Sequence, residues 1–377
     1  MGIRGNDSIA GLRNLLLCLA CALAACGGRT HQGTPGGESG GAAGHFAGED
    51  TGGSSGLTGT GGAGGEGAGA ASTGGAGGES SLTPSACDEG PAGAELDVEL
   101  SPELVWARIV HFLADRDDVP MEHGTPDSAR AAGDAALSLL DALLEEGQTP
   151  AGLVRFIEHW MPGLDQPDLW GNLFASKGTT LENVLTFWRS GPPPPPAFGI
   201  TTDLGVLRRP GIDGRGAYLL ETLFCVPVPS KPELPSPPPI PSRAEHDEQV
   251  ADLVCNTCHR IFDPLGYSLE IFDAMGNERE SLDDGTPVDS AGTFATPKGE
   301  VFAFTSIFDL APQLATSCEV ATCLSRRMLE HALESADLDT STIDDSDVQR
   351  IAARFAHSSF ELRTLIRSVV ESPAFLR

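Results

Sequence analysis

The sequence predicts a mainly α-helical fold, a helical bundle that is interrupted by a small hairpin and by Pro-rich connectors. Apolar residues recur at helical spacing from about residue 100 to the C-terminus. Turn-forming residues cluster around Asp284 and Gly285, which favours a hairpin there. Two Pro-rich runs, 192–196 and 227–241, predict extended polyproline segments. We interpret both runs as surface connectors, with a peptide ligand as the alternative.

The N-terminus has the pattern of an export signal. Two arginines precede the apolar run 15–25, which is about half as long as a membrane-spanning helix. A basic start, a short apolar run and small residues at its end predict a signal peptide over residues 1–25. The run ends in Leu-Ala-Ala-Cys-Gly over 23–27, which resembles the lipobox of bacterial lipoproteins. The resemblance implies a lipid on Cys26 that anchors the chain in the bacterial cell envelope, facing the periplasm or the outer-membrane surface; a secretory signal with a stray cysteine is the alternative.

The glycine-rich composition belongs mostly to one segment. The chain contains Gly 46 and Pro 28, and much of the glycine lies in the low-complexity segment 26–86. Such a segment buries too little apolar surface to offset its chain entropy, so we predict a disordered tether. The folded part then starts near Cys87. We divide it into a helical domain (87–200), a central domain that carries a cysteine motif (201–300) and a C-terminal helical domain (301–377).

The predicted helices follow in chain order, and the first has a complete start signal. Ser101 is the expected N-cap and Pro102 the first helical residue. Further helices are predicted over 131–144, 149–161, 181–187, 214–224, 243–262, 302–314, 323–333, 345–355 and 360–372. Asp344 or Ser341 is expected to cap the helix 345–355. The small hairpin is expected within 279–294.

The charge balance excludes some classes of function. Asp+Glu 53 against Lys+Arg 24 gives a formal net charge of −29. Phosphate binding needs a basic face, so we exclude a nucleic-acid protein. Charge alone also disfavours docking on anionic lipid. A protein partner with a basic patch fits this surface better.

One motif carries chemistry. Cys255-Asn256-Thr257-Cys258-His259 is C-x-x-C-H, the attachment sequence of c-type haem. Its two thiols form thioethers with the haem vinyl groups, and the histidine ligates the iron. It predicts covalent haem c on Cys255 and Cys258 with His259 as the metal ligand, and the export signal supplies the compartment. The alternatives are a redox pair without the usual βαβ setting, half of a zinc site and a structural disulfide.

The segment 255–276, which reads CNTCHRIFDPLGYSLEIFDAMG, resembles the cytochrome-like proteins of planctomycetes and myxobacteria. These are built from serial domains of unknown function, numbers 1592, 1588 and 1585, with the hallmark C-x-x-C-H, D-P-x-G, E-x-F-D-x-x-G. The resemblance implies a shortened 1592-like domain over 87–200, a 1588-like haem-motif domain over 201–300 and a 1585-like domain over 301–377. It implies a cytochrome c-like haem segment and electron transfer outside the cytoplasm. The tether stands where longer relatives carry another C-x-x-C-H domain.

The remaining ligands of such a haem are less constrained. Met275, Met328, His331 and His357 are candidates for the distal position; the alternative is core packing for each methionine and an exposed or satisfied side chain for each histidine. None falls on a residue that the family pattern fixes, so a five-coordinate iron with peroxidase-like chemistry stays open. Arg279 is a candidate partner for the haem propionates, with surface solvation as its alternative.

Four further cysteines are candidates for disulfides. Cys87, Cys225, Cys318 and Cys323 remain once signal, lipid and haem cysteines are set aside, and an oxidising compartment favours their bonding. A Cys225–Cys323 bond would tie the base of the second Pro-rich run to the C-terminal helices. Cys318–Cys323 is the local alternative, and the sequence does not choose between them.

We therefore expect an exported, lipid-anchored monohaem c-type cytochrome-like protein that transfers electrons, rather than a hydrolase or another enzyme. Its acidic surface would suit a basic redox partner. The alternatives are a surface interaction or scaffold lipoprotein with structural disulfides and no haem, and a haem enzyme of peroxidase type.

Overall fold

The first helix, α1 (Pro102–Ala114), begins at the predicted start signal. The side chain of Ser101 accepts a hydrogen bond from the Leu104 amide at 3.4 Å, and Pro102 occupies the first turn. The helix ends at Asp115, whose backbone is left-handed with φ 54°. A polar cap and a fixed proline φ therefore set this boundary, as the sequence indicates.

The computed structural model describes Cys87 and residues 100–116, 119–121, 125–186, 199–228, 243–249, 251 and 253–376, all within one unit, Leu82–Arg377. The predicted signal peptide, the tether with Cys26, the run 192–196 and most of the run 227–241 lie outside the described residues. None of the helices in the described part combines the length and the apolar content that crossing a membrane requires.

The described fold is mainly helical, which confirms the predicted class. After α1 come α2 (Ala129–Glu145), α3 (Ala151–Trp160), α4 (Pro167–Ala175), α5 (Leu181–Thr186), α6 (Leu204–Leu207), α7 (Gly211–Phe224), α8 (Arg243–Gln249) and α9 (Leu253–Tyr267). Past the strands follow α10 (Ile307–Leu314), α11 (Cys318–Ser335), α12 (Asp345–His357), α13 (Leu362–Val370) and α14 (Pro373–Leu376). Asp344 caps α12 by accepting from the Ser346 amide, one of the two predicted caps.

The structure contains one small hairpin in the described part, but the hairpin predicted within 279–294 is wrong. Strands β1 (Gly292–Ala295) and β2 (Val301–Phe304) pair antiparallel, with Gly292 opposite Phe304. The predicted turn at Gly285 is present with φ 84°, yet it closes only an isolated bridge between Ser281 and Pro287. The prediction of helix over 302–304 is wrong, because these residues belong to strand β2. Every second residue of β2 packs inward, as in a strand, whereas the sequence pattern predicts that these residues start the following helix.

The predicted helix 243–262 is two helices. α8 ends at Gln249, and α9 continues past the proline at position 264 to Tyr267. α9 packs backbone against backbone on α7: a Cβ at Gly216 would overlap the carbonyl of Phe262, and a Cβ at Gly266 would overlap that of Ile212. Glycine at both positions is therefore what allows the two helices to approach this closely.

Two disulfides fix the C-terminal helices to earlier parts of the chain. Cys225, the left-handed residue that ends α7, bonds to Cys323 with a Cα–Cα distance of 5.4 Å. Cys87 bonds to Cys318 with a Cα–Cα distance of 5.3 Å. α11 starts at Cys318, capped by Ser317, and not at Cys323 as predicted, so both bonds anchor the first two turns of this helix.

Candidate functional site

The C-x-x-C-H motif lies on the first two turns of α9. Positions 255, 258 and 259 are spaced i, i+3 and i+4, so they share one face of the helix. The side chains of Cys255 and Cys258 lie outside the described part of the structure. The backbone at these three positions is helical, which is the part of the motif's arrangement that the structure describes.

His259 is held through one of its two ring nitrogens. Its Nδ1 lies 3.1 Å from both carboxylate oxygens of Asp263, one turn further along α9. Its ring lies 4.9 Å from the ring of Phe262 between centroids. The Nε2 atom makes no hydrogen bond with any residue that the structure describes, so it is the nitrogen available to a metal.

Asp263 receives a second histidine. Nε2 of His246, on α8, lies 2.7 Å from Oδ2 of Asp263. Burial alone raises the pKa of Asp263, but the hydrogen bonds from His246 and His259 outweigh it and hold the pKa below its usual value. An ionised carboxylate only accepts hydrogen bonds, so both histidines donate to it. In the neutral form of His259 the proton therefore lies on Nδ1 and the lone pair on Nε2, which is the tautomer that ligates a metal.

A second set of contacts holds α8 against α9. The Tyr267 hydroxyl donates to Oδ1 of Asp247 at 2.5 Å, and the Arg243 guanidinium lies 4.3 Å above the Tyr267 ring. The His246 ring meets the same tyrosine edge-on at 5.9 Å. Burial raises the pKa of Tyr267, so its hydroxyl stays protonated as a donor. These contacts position His246 over Asp263.

The three groups lie close enough together that they could also hold a metal ion. One ligand atom each from His246, His259 and Asp263 lie within 4.8 Å of one another. Their direct separations of 2.7 and 3.1 Å are those of hydrogen bonds. We name these three residues the His–Asp–His triad. We interpret the triad as a hydrogen-bonded unit in which Asp263 and His246 support His259.

Arg279 is committed to a buried carboxylate. Its Nη2 lies 3.0 Å from Oε2 of Glu270, and its Nε donates to the Glu270 carbonyl at 2.9 Å. Arg215, with 1% of its side chain exposed, contacts the other carboxylate oxygen at 3.4 Å. Burial raises the pKa of Glu270 and both arginines oppose that rise. The predicted role of Arg279 toward propionates stays a prediction, and it would compete with this pair.

The predicted distal ligands are spread over the molecule. Met275 is 65% exposed, in a turn where its amide donates to Asp273. Met328 is fully buried in the apolar core. Nε2 of His331 donates to the Gly152 carbonyl at 2.9 Å, and burial lowers the pKa of this histidine to about 4. In the described part of the chain, no residue that contacts His331 also contacts His259, so the structure does not bring these two histidines to one site.

The sequence reading missed His246 and Asp263 as site residues. Asp263 carries a usable signal, because a residue four positions after a helical histidine lies on the same face. His246 carries none, because its position depends on how α8 folds back onto α9. Only the tertiary structure brings the two histidines to one carboxylate.

The fold and the site define a class: a mainly helical protein with a C-x-x-C-H helix whose histidine is backed by a buried carboxylate. Residues 206–282 match the family model of a protein of unknown function, DUF1588, and residues 302–375 match that of a protein of unknown function, DUF1585. Comparison with curated proteins and with solved structures gave no match. The two matches confirm the resemblance to domains 1588 and 1585, while the predicted domain boundaries stay predictions. The first match includes the His–Asp–His triad. The 1592-like segment stays a prediction.

Proposed function

We propose that this protein is an exported, lipid-anchored monohaem c-type cytochrome-like protein that transfers single electrons. The observation that carries the proposal is the hydrogen bond from His259 Nδ1 to Asp263, behind a C-x-x-C-H motif on a helix. It leaves Nε2 of His259 as the ligating nitrogen. The Cys87–Cys318 and Cys225–Cys323 disulfides support export, because such bonds persist in oxidising compartments.

In this proposal each residue has a defined role. Cys255 and Cys258 hold the haem by thioether bonds, and His259 ligates the iron through Nε2. The bound haem supplies a one-electron Fe(III)/Fe(II) couple. Asp263 keeps the proton on Nδ1 and fixes the plane of the imidazole. Phe262 packs against that ring and limits its rotation.

The proposed location and partner follow from the N-terminal sequence and from the net charge of the chain. Cys26 would carry the lipid that attaches the protein to a membrane of the bacterial envelope. The net charge of −29 would attract a basic redox partner, so electron exchange with that partner slows as ionic strength rises.

A haem enzyme is the second candidate, and the placement of the predicted distal ligands favours it. Nε2 of His331 donates a hydrogen bond to the Gly152 carbonyl, and the side chain of Met328 is fully buried in the core. An iron without a sixth ligand from these residues would bind peroxide or a small gas. A ferrous form that binds carbon monoxide favours this candidate, and a low-spin form inert to it favours electron transfer.

The test of the proposal is covalent haem. The wild type, produced with cytochrome c maturation machinery, is expected to show a Soret band and a haem-stained band on a denaturing gel. The double variant Cys255→Ser/Cys258→Ser should lose the stain entirely. The matched double variant Cys225→Ser/Cys323→Ser removes two cysteines elsewhere and should keep it. A folded, colourless wild type under these conditions contradicts the proposal.

A further inference from the structure

We propose that Asp263 and His246 are positioning residues that act on His259 in opposite directions and together set the reduction potential of the haem. This inference rests on the proposed function and deepens it. It concerns how readily the site accepts an electron from its redox partner, and it is carried by the geometry of the His–Asp–His triad.

Both histidines donate a hydrogen bond to the same carboxylate, that of Asp263. His259 Nδ1 lies 3.1 Å from both oxygens of Asp263, and His246 Nε2 lies 2.7 Å from Oδ2. Each donor that Asp263 accepts reduces the negative charge that the carboxylate presents to the other. The shorter contact belongs to His246, so this histidine takes a substantial share of the carboxylate.

The triad is shielded from water, so the negative charge of Asp263 acts strongly on the two histidines. The side chain of Asp263 is 4% exposed, that of His246 is 8% and that of His259 is 16%. Hydrogen bonds and charges act more strongly in such surroundings than in bulk water. The bonds to both histidines compensate the cost of burying the carboxylate.

The direction of each effect follows from ligand electronics. A carboxylate that pulls on Nδ1–H makes the imidazole a stronger electron donor at Nε2, and a stronger donor stabilises ferric over ferrous iron. Asp263 therefore lowers the reduction potential. His246 weakens that pull by sharing the carboxylate, so it raises the potential. The electron itself comes from the redox partner, and no proton leaves Nδ1 when the iron is reduced.

The experiment is a potentiometric titration of the haem-loaded protein at pH 8, with dithionite as the reductant. Asp263→Asn removes the charge and is expected to shift the equilibrium toward the ferrous form by at least tenfold, which is 59 mV upward for one electron. His246→Phe keeps a ring and removes the donor, and it is expected to lower the potential. His246→Gln restores a donor and is expected to return the potential toward that of the wild type.

Two further variants separate electronics from packing. Asp263→Glu keeps the charge, so it should stay nearer to the wild-type potential than Asp263→Asn does. Tyr267→Phe loosens the contact that positions His246 over Asp263, so it should lower the potential by less than His246→Phe does. Unfolding temperatures measured on the same samples report packing, and they need not follow the order of the potentials.

The outcomes separate this inference from the proposed function. Opposite shifts in Asp263→Asn and His246→Phe support the inference. Shifts of the same sign, or lower unfolding temperatures with unchanged potentials, overturn it while covalent haem on the denaturing gel leaves the proposed function standing. A wild type without covalent haem overturns both.

Discussion

Two histidines lie in helical, largely shielded surroundings, and they differ in which ring nitrogen is engaged. His259 donates from Nδ1 to the carboxylate of Asp263, whereas His331 donates from Nε2 to the carbonyl of Gly152. The first arrangement leaves Nε2 available and makes it electron-rich. The second uses Nε2 for packing. The nitrogen that the hydrogen bond occupies therefore fits one histidine for the ligand role that we propose and makes the other part of the core.

The surroundings of the two histidines differ in the same sense. The ring of His331 lies close to the aromatic rings of Phe112 and Phe156, with centroid distances of 6.1 and 5.7 Å. The region around α9, the helix that carries His259, instead contains a buried ion pair between Arg215 and Glu270. The His331 region is therefore stabilised by apolar packing and the α9 region by paired polar groups, so different changes should break each.

The largest effect is expected from Arg215→Met, which breaks the buried charge pair below α9. Arg215 donates to three backbone carbonyls as well as to Glu270, and the substitution leaves these acceptors buried without a partner. We expect a loss of about 3–5 kcal/mol in the free energy of unfolding. Urea unfolding followed by circular dichroism measures this loss.

The matched control for that substitution is Arg208→Met. Arg208 pairs with Asp165 at 3.3 Å, but 53% of its side chain is exposed. Its loss should cost about 1 kcal/mol or less. Equal losses in the two variants would contradict the distinction between buried and surface charges around α9.

The next effect is the response of the His331 region to acid. Burial lowers the pKa of His331 from 6.5 to about 4. Between these values the unfolded chain binds a proton that the folded chain does not, so stability falls as the pH drops through this window. We expect this histidine alone to account for roughly 3 kcal/mol of that fall.

Urea unfolding between pH 7 and pH 4 measures this dependence, and His331→Leu is the comparison, because it removes the titrating group and keeps an apolar side chain. The variant should show a flatter dependence on pH than the wild type. The same slope in both proteins would mean that His331 takes up its proton equally well in the folded chain.

The sequence predicted the outline of the fold better than the details of the site. The cap at Ser101 and the helix through Cys255 follow from local rules, because the signals lie within a few residues of each other. The helix predicted over 302–304 was wrong because that short apolar stretch pairs with β1, a partner that the stretch itself does not specify. His246 was missed for the same reason: its partner, Asp263, lies on another helix.

The smallest effect is expected at the frame of the triad. Tyr267→Phe removes one hydrogen bond, to Asp247, and should cost about 1 kcal/mol or less. Hydrogen exchange should become faster in α8 and stay unchanged in α11. Faster exchange in both helices would contradict the assignment of this contact to α8 alone.

The central claim is that His259, and not His331, ligates a covalently bound haem. The visible spectra of His259→Gly and His331→Leu, each recorded with and without added imidazole, test it most directly. We predict that His259→Gly alters the Soret band and that imidazole restores the wild-type spectrum, whereas His331→Leu matches the wild type throughout. A wild-type spectrum in His259→Gly without imidazole, or no Soret band in the wild type, would contradict the claim.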